Sequence, residues 1–255
     1  MSLHRGAFPA ALLLAAACGS APGEGDIDDL IEQLQAQDPR ERAAAASHIC
    51  ALGEEGAPAV PALVVALKDA QRSGEPTTPF ILALGKIGAP AREALVPFQE
   101  LLRQRPEYRV QAALAVSWWL ISGDGLTSVS ILSPMLQQGD ENEKLTAAAC
   151  FAQIGTAASM GAPALSQALQ DRSVIVRIEA ARGLWSVARD ARPVLGVLEA
   201  ALKAPEASAR RRAAQVLGEM GPAAAESAPA LRELAEDPDD GVQTAATEAL
   251  KRVSD

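Results

Sequence analysis

A short apolar motif returns every 33 to 35 residues through this chain of 255, and that periodicity constrains the fold more than any other feature. Sliding Ala83-Leu84-Gly85-Lys86-Ile87-Gly88 along the sequence aligns Ile49, Leu84, Trp118, Phe151, Leu184, Leu217 and Leu250 in one column. The spacings are 35, 34, 33, 33, 33 and 33. Three positions on stand Leu52, Ile87, Ile121, Ile154, Val187, Met220 and Val253. Four positions before the column stand Ala45, Phe80, Leu114, Ala147, Ala180, Ala213 and Ala246. Offsets of −4, 0 and +3 share one face of an α-helix, so each unit carries one helix with an apolar stripe.

Eleven positions upstream of the column lie Asp38, Ser73, Glu107, Asp140, Ser173, Glu206 and Asp239. Ser and Asp are good N-caps there, because their side-chain oxygens accept from the open amides of the first turn. Asp38/Arg42, Asp140/Lys144 and Glu206/Arg210 have the acid-first spacing of four that supports a helix by a few tenths of a kcal/mol. The second unit is the weakest match. Ser73-Gly74-Glu75-Pro76 interrupts it, and its second helix is expected to start late.

A first helix precedes each cap, marked by Leu34, Leu67, Leu102, Leu136, Leu169, Leu202 and Leu234. Proline stands near its beginning at Pro61, Pro97, Pro163 and Pro229, where a missing amide costs little. Such a helix pair, A and B, cannot bury its own apolar face; stacking seven of them makes a core. The 54 alanines and only 3% aromatic residues suit helices packed closely and argue against an all-β fold.

The Asp-x-x-x-Arg spacing, the Ala-rich helix and the Leu84-Gly85-Lys86-Ile87-Gly88 and Leu217-Gly218-Glu219-Met220-Gly221 motifs resemble HEAT repeats. The resemblance is to the short bacterial type named after phycobilisome lyases, and it covers about residues 26–255. It implies an all-α, right-handed α-solenoid of about seven HEAT-like helix pairs of 33–35 residues, with helix B toward the concave side. The family mostly binds proteins. Fold alone does not carry a function to this chain.

Residues 1–17 read as an export signal, with Arg5 ahead of the uncharged run Gly6–Ala17, whose roughly twelve apolar residues are too few to span a bilayer. Leu14-Ala15-Ala16-Ala17-Cys18 resembles a bacterial lipobox, with Ala15 where Leu is commoner. The resemblance implies cleavage before Cys18 and lipidation of its thiol; the rival reading is an Ala-x-Ala site cleaved without lipid. Gly19 after the Cys favours the outer membrane if the cell has one. Residues 18–25 then form a flexible spacer, Gly19 to Gly25 reaching at most about 25 Å. The expected location is the cell envelope, anchored to the membrane.

A net charge of −9, together with export, argues against nucleic acid as a partner. His4 leaves with the signal, so a triad or a metal site would rest on His48 alone, which reads as a core or edge residue. Neither a metal nor a cofactor is expected. The iron-binding His-Glu pairs of the HEAT-like deoxyhypusine hydroxylases are absent. Cys50 and Cys150 fall three repeats apart, on the order of 30 Å at roughly 10 Å per helix pair, too far for a disulfide with each other. Both read as small buried hydrophobes, with an intermolecular disulfide as the alternative. The glycines at helix ends read as left-handed C-caps.

Trp119 and Trp185 share the column just after the core position, which also holds Cys50, Gly85, Ala152, Gly218 and Lys251. They are candidate partner-binding anchors, since Trp is enriched at interface hot spots; the plain alternative is packing over the neighbouring repeat. Arg177, Arg182, Arg210, Arg211 and Arg212 concentrate positive charge in repeats five and six. Arg182 and Arg211 with Trp185 form a candidate site for an acidic partner segment; otherwise Arg177 and Arg210 pair within their helices and the rest form a solvated face. The expected function is a non-catalytic scaffold or adaptor for an unidentified protein. The alternative is a groove-based small-ligand binder or a lyase-like enzyme related to the bilin lyases.

Overall fold

The structure is a computed structural model and describes residues 26–254. Among them lie fourteen α-helices and no strand. The helices are α1 (Ile27–Gln33), α2 (Pro39–Leu52), α3 (Val60–Ser73), α4 (Thr78–Ile87), α5 (Leu95–Arg103), α6 (Tyr108–Ser122) and α7 (Gly125–Gln138). They continue as α8 (Glu141–Ile154), α9 (Ala162–Ala168), α10 (Val174–Ala188), α11 (Arg192–Ala201), α12 (Ala207–Met220), α13 (Ala228–Leu234) and α14 (Asp240–Ser254). They alternate as A and B helices, giving the seven pairs that the periodicity requires. The chain divides into two compact units, one ending at Leu132 and the other beginning at Ser133.

Within the first unit α2, α4 and α6 pack side by side; within the second, α8 packs on α10 and α12 on α14. Their core columns are closed. Ile49, Leu84, Phe151 and Leu217 have no accessible surface, and Ala45, Leu114, Ala147, Ala180, Ala213 and Ala246 none either. Burying each phenylalanine of Phe80, Phe98 and Phe151 contributes roughly 1.5–3 kcal/mol. Four positions depart from the columns. Leu52, Trp118 and Leu250 are only half-buried, and in repeat three Leu101 is buried instead of Leu102.

Helix B starts where the capping column places it in repeats one, four and five. Asp38 accepts from the Arg40 amide, Asp140 and Glu143 form a reciprocal capping box, and Ser173 accepts from Val176. Asp239 does the same for Val242 at 3.0 Å. Ser73 does not cap: it is the last residue of α3, and α4 begins only at Thr78, after Gly74 has turned the chain in the left-handed region.

The expected pairs of spacing four do not form. Each basic residue instead reaches across to an acid one repeat on, and the two arginines also reach back to the carbonyls ending helix A. Arg210 Nη1 donates to the Ala204 and Pro205 carbonyls at 2.9 and 2.8 Å, while its Nε and Nη2 grip Asp237 at 2.7 and 2.9 Å. Lys144 holds Asp171 at 2.7 Å, and Arg42 holds Glu75 while donating to the Ala36 and Gln37 carbonyls. The rung satisfies carbonyls a helix end leaves open, which a local pair would not. The Arg210 hydrogen bond holds Asp237 below the ordinary carboxylate value.

The glycines after α2, α4, α8 and α12 are not ordinary left-handed caps. Gly53, Gly88, Gly155 and Gly221 combine φ of 59° to 77° with ψ of −129° to −143°, a conformation L-residues avoid. Each leads into a 3-10 segment, at residues 53–59, 89–94, 155–161 and 221–227, that lies against the B helix of the next repeat.

Candidate functional site

Residues at −5, −2 and +1 from the core column lie three apart and share the face of helix B turned away from the A helices. In the last two repeats this face forms an open groove of about 310 Å³. Arg212, Gln215, Gly218 and Glu219 of α12 line one side, and Ala245, Glu248, Ala249 and Arg252 of α14 the other. The floor is shallow because the helices nearly touch. A Cβ on Gly218 would stand 3.0 Å from the Ala249 Cα. The rims carry the charge: Glu248 and Arg252 are exposed and hold no ion pair among the described residues.

An ion-pair cluster joins α12 to α10 beside this groove. Glu179 is 7% exposed, accepts from Arg182 Nε at 2.9 Å, and accepts from Arg212 Nε of the next repeat at 2.5 Å. Glu219 stands 3.9 Å from Arg182 Nη1 and 3.6 Å from Arg212 Nη1. Burial pushes the Glu179 carboxyl up, but the Arg212 hydrogen bond and the two guanidinium charges outweigh it and hold the group below its ordinary value. Arg182 Nη2 is buried and has no hydrogen-bond partner.

The candidate residues scatter around this surface. Trp185 and Arg182 lie on one face of α10, both half-buried. The Arg189 guanidinium covers the Trp185 ring at 5.6 Å from its centroid. Arg182 is already engaged by Glu179. Arg211 is exposed and turned toward the start of α14, its Nη1 3.3 Å from where a Cβ on Gly241 would stand, beside Asp239. Arg182 and Arg211 therefore do not add up to one positive patch, and the two glutamates neutralise the one that Arg182 and Arg212 would make. Trp119 is half-buried in the first unit, where its carbonyl accepts from the Gly123 amide at 2.7 Å. Cys18, the signal of residues 1–17 and the spacer of residues 18–25 lie outside the described residues.

Glu179 and Glu219 were missed as members of the site. The signal was available: Glu179 and Arg212 stand 33 residues apart in a column otherwise holding Ala44, Pro79, Ala113, Thr146 and Ala245. Opposite charges at the repeat spacing are neighbours across a stack. His48 is exposed on α2, while Cys50 and Cys150 are buried. Burial pushes the Cys150 thiol up to about 12, which leaves no thiolate for chemistry near neutral pH. Among the described residues no three of His, Cys, Asp and Glu gather into a metal-binding group.

The family model for HEAT repeats matches residues 194–255, the two repeats that build the groove. The fold is a HEAT-like helical repeat. Solved structures carry the likeness over the rest of the chain. The complex of CpcE and CpcF of phycocyanin lyase from Nostoc sp. PCC7120 is similar at 23% identity and a TM-score of 0.56, over 92% of this chain and 97% of that one. The karyopherin Kap121p, bound to the extreme C-terminus of the protein phosphatase Cdc14p, is similar at 13% identity and a TM-score of 0.58. That match covers 89% of this chain and 29% of the karyopherin. No curated protein matches the chain in sequence. At these identities the HEAT-like likeness is one of fold.

Proposed function

We propose that this HEAT-like chain is a non-catalytic scaffold or adaptor, binding a protein partner along the B-helix groove of repeats six and seven and tethered at the bacterial cell envelope through a lipidated Cys18. The observation that carries the reading is the groove itself: open, floored by Gly218, Ala245 and Ala249, and edged by Gln215, Glu248 and Arg252. A small floor with polar rims suits an extended peptide segment, whose main chain can lie close to the helices. Small organic ligands favour enclosed, mostly apolar pockets, and this groove is neither. The karyopherin of similar fold is bound to the C-terminus of another protein, which supports a protein partner without identifying one.

The test is crosslinking in the native envelope, affinity recovery and mass spectrometry, comparing the wild type with Gln215→Ala/Glu248→Ala/Arg252→Ala. These side chains lie on the groove rims outside the core, so the variant keeps its helix content. A specific protein recovered by the wild type and lost in the variant supports both scaffold and surface. The same protein recovered equally by both overturns the surface, and no protein enriched by the wild type overturns the scaffold.

A further inference from the structure

Of three features that bind neighbouring repeats elsewhere in the second unit, one is reduced and two are missing between repeats five and six. The first is helix contact. α8 and α10, and likewise α12 and α14, run against each other for most of their length, whereas α10 and α12 meet over much less of theirs. Gly218 admits α14 at close range, but the same column of α10 holds Trp185, which stays half-buried.

The second is the brace. Residues 155–161 lie against α10 and residues 221–227 against α14. Nothing of the kind precedes α12, because Ala188 stands where Gly155 and Gly221 enter their 3-10 segments. α10 runs on through Ala188, closes at Arg189 in the left-handed region with φ of 54°, and α11 starts at Arg192. The third is the charged rung. Lys144–Asp171 and Arg210–Asp237 tie their repeats together, but the position between those acids at the repeat spacing is Ala204. Arg177 consequently holds only the Asp171 and Arg172 carbonyls, at 2.8 and 3.2 Å.

In their place α11 packs directly on α10, and the Glu179–Arg182–Arg212–Glu219 cluster joins α10 to α12. Arg182 Nη2 is left buried in it without an acceptor. We infer that the junction between repeats five and six is a compliant joint, at which the block of repeats four and five and the block of repeats six and seven move as separate bodies clasped by these ion pairs. In a stacked array each repeat is held by its neighbours, so the weakest interface is where cooperativity breaks. The joint lies beside the groove and would let the face of α12 and α14 change its angle to α10. The inference stands independently of what binds there.

The sequence supplies its own repair. Ala204 is 9% exposed and Asp237 8%, so the carboxylate introduced by Ala204→Asp enters an equivalent setting. It can accept from Arg177 as Asp237 does from Arg210, and from the Glu206 amide as Asp237 does from Asp239. The experiment is hydrogen exchange of the full chain across a urea series, read helix by helix by mass spectrometry. The expected wild-type result is that α8 and α10 lose protection at one midpoint and α12 and α14 at another. Ala204→Asp is expected to draw the midpoints together and slow exchange in α12 roughly tenfold, as a charge-assisted bond would; Ala204→Asp/Arg177→Ala should not. A single midpoint for all four helices in the wild type overturns the joint. So does an Ala204→Asp chain of unchanged helix content whose midpoints stay apart, or one in which Arg177→Ala makes no difference.

Discussion

Arg189 closes helix α10 and covers its own cap. Its backbone amide donates to the Trp185 carbonyl at 2.9 Å while its guanidinium lies 5.6 Å from the Trp185 ring centroid. The two roles conflict energetically, since an L-residue in the left-handed region costs roughly 1 kcal/mol and an exposed cation–π contact returns about 0.5–1 kcal/mol. Arg189→Gly is therefore expected to leave Tm nearly unchanged while Trp185 fluorescence shifts to the red. Arg189→Ala keeps the backbone cost and loses the contact, so its Tm should fall below both. An Arg189→Ala chain with the Tm of the wild type would mean that the ring contact carries no stability.

Glu179 is the carboxylate on which two guanidinium groups depend. Removing it in Glu179→Ala strands Arg182 and Arg212 in a half-buried seam and should destabilise the second unit by about 3 kcal/mol in urea denaturation. The pH dependence has a definite sign. A carboxyl held below its ordinary value of 4.5 contributes stability that is fully present above that value and lost as pH falls through the lowered one. The difference in stability between wild type and Glu179→Gln should thus be constant near neutrality and shrink only at more acidic pH. A difference already shrinking near pH 6 would refute the assignment.

Arg210 and Arg177 occupy one column with unequal partners. Both donate to helix-end carbonyls, but only Arg210 also holds a carboxylate of the next repeat. Arg210→Ala should lower Tm more than Arg177→Ala in the wild-type chain, and by a similar amount to it in an Asp237→Ala background. Additive losses for that pair would count against the rung.

Gly218 stands against the backbone of α14. Its added Cβ would press on the Ala249 backbone rather than on a flexible side-chain end, so Gly218→Ala is expected to cost about 1–3 kcal/mol by forcing the helices apart. Gly196, with nothing near its Cβ position, is the control. It lies within α11, where alanine is the better helix former, so Gly196→Ala should stabilise slightly.

The proposed tether has its own measurement. Lipidation at Cys18 predicts a mature mass raised by fatty acyl groups and fractionation with membranes, both lost in Cys18→Ser. An unmodified mass with Cys18 present would leave the scaffold reading standing and remove the anchor.

The seven helix pairs were legible because Ile49, Leu84, Leu217 and their equivalents recur at fixed spacing, and a stacked array repeats its contacts with its sequence. Departures arose where one repeat's chemistry is completed by another. Asp38 and Arg42 look like a helical pair in isolation, yet Arg42 finds Glu75 one repeat away. Ser73 looks like a cap until Gly74 turns the chain. Trp185 and Arg182 do share a face, but their charge environment depends on Glu179 and Glu219, whose importance appears only when repeats are stacked in register. Arg211, one residue from Arg212, points elsewhere because a helix turns by about 100° per residue.

The glycine that opens each 3-10 brace also acts as a one-letter instruction. Read down its column, Gly53, Gly88, Ser122, Gly155, Ala188 and Gly221 spell out which junctions receive a brace and which do not. A single substitution at such a position can change the rigidity of one junction while every core column stays as it was. An array of this design can thus alter its mechanics in evolution without first altering its fold.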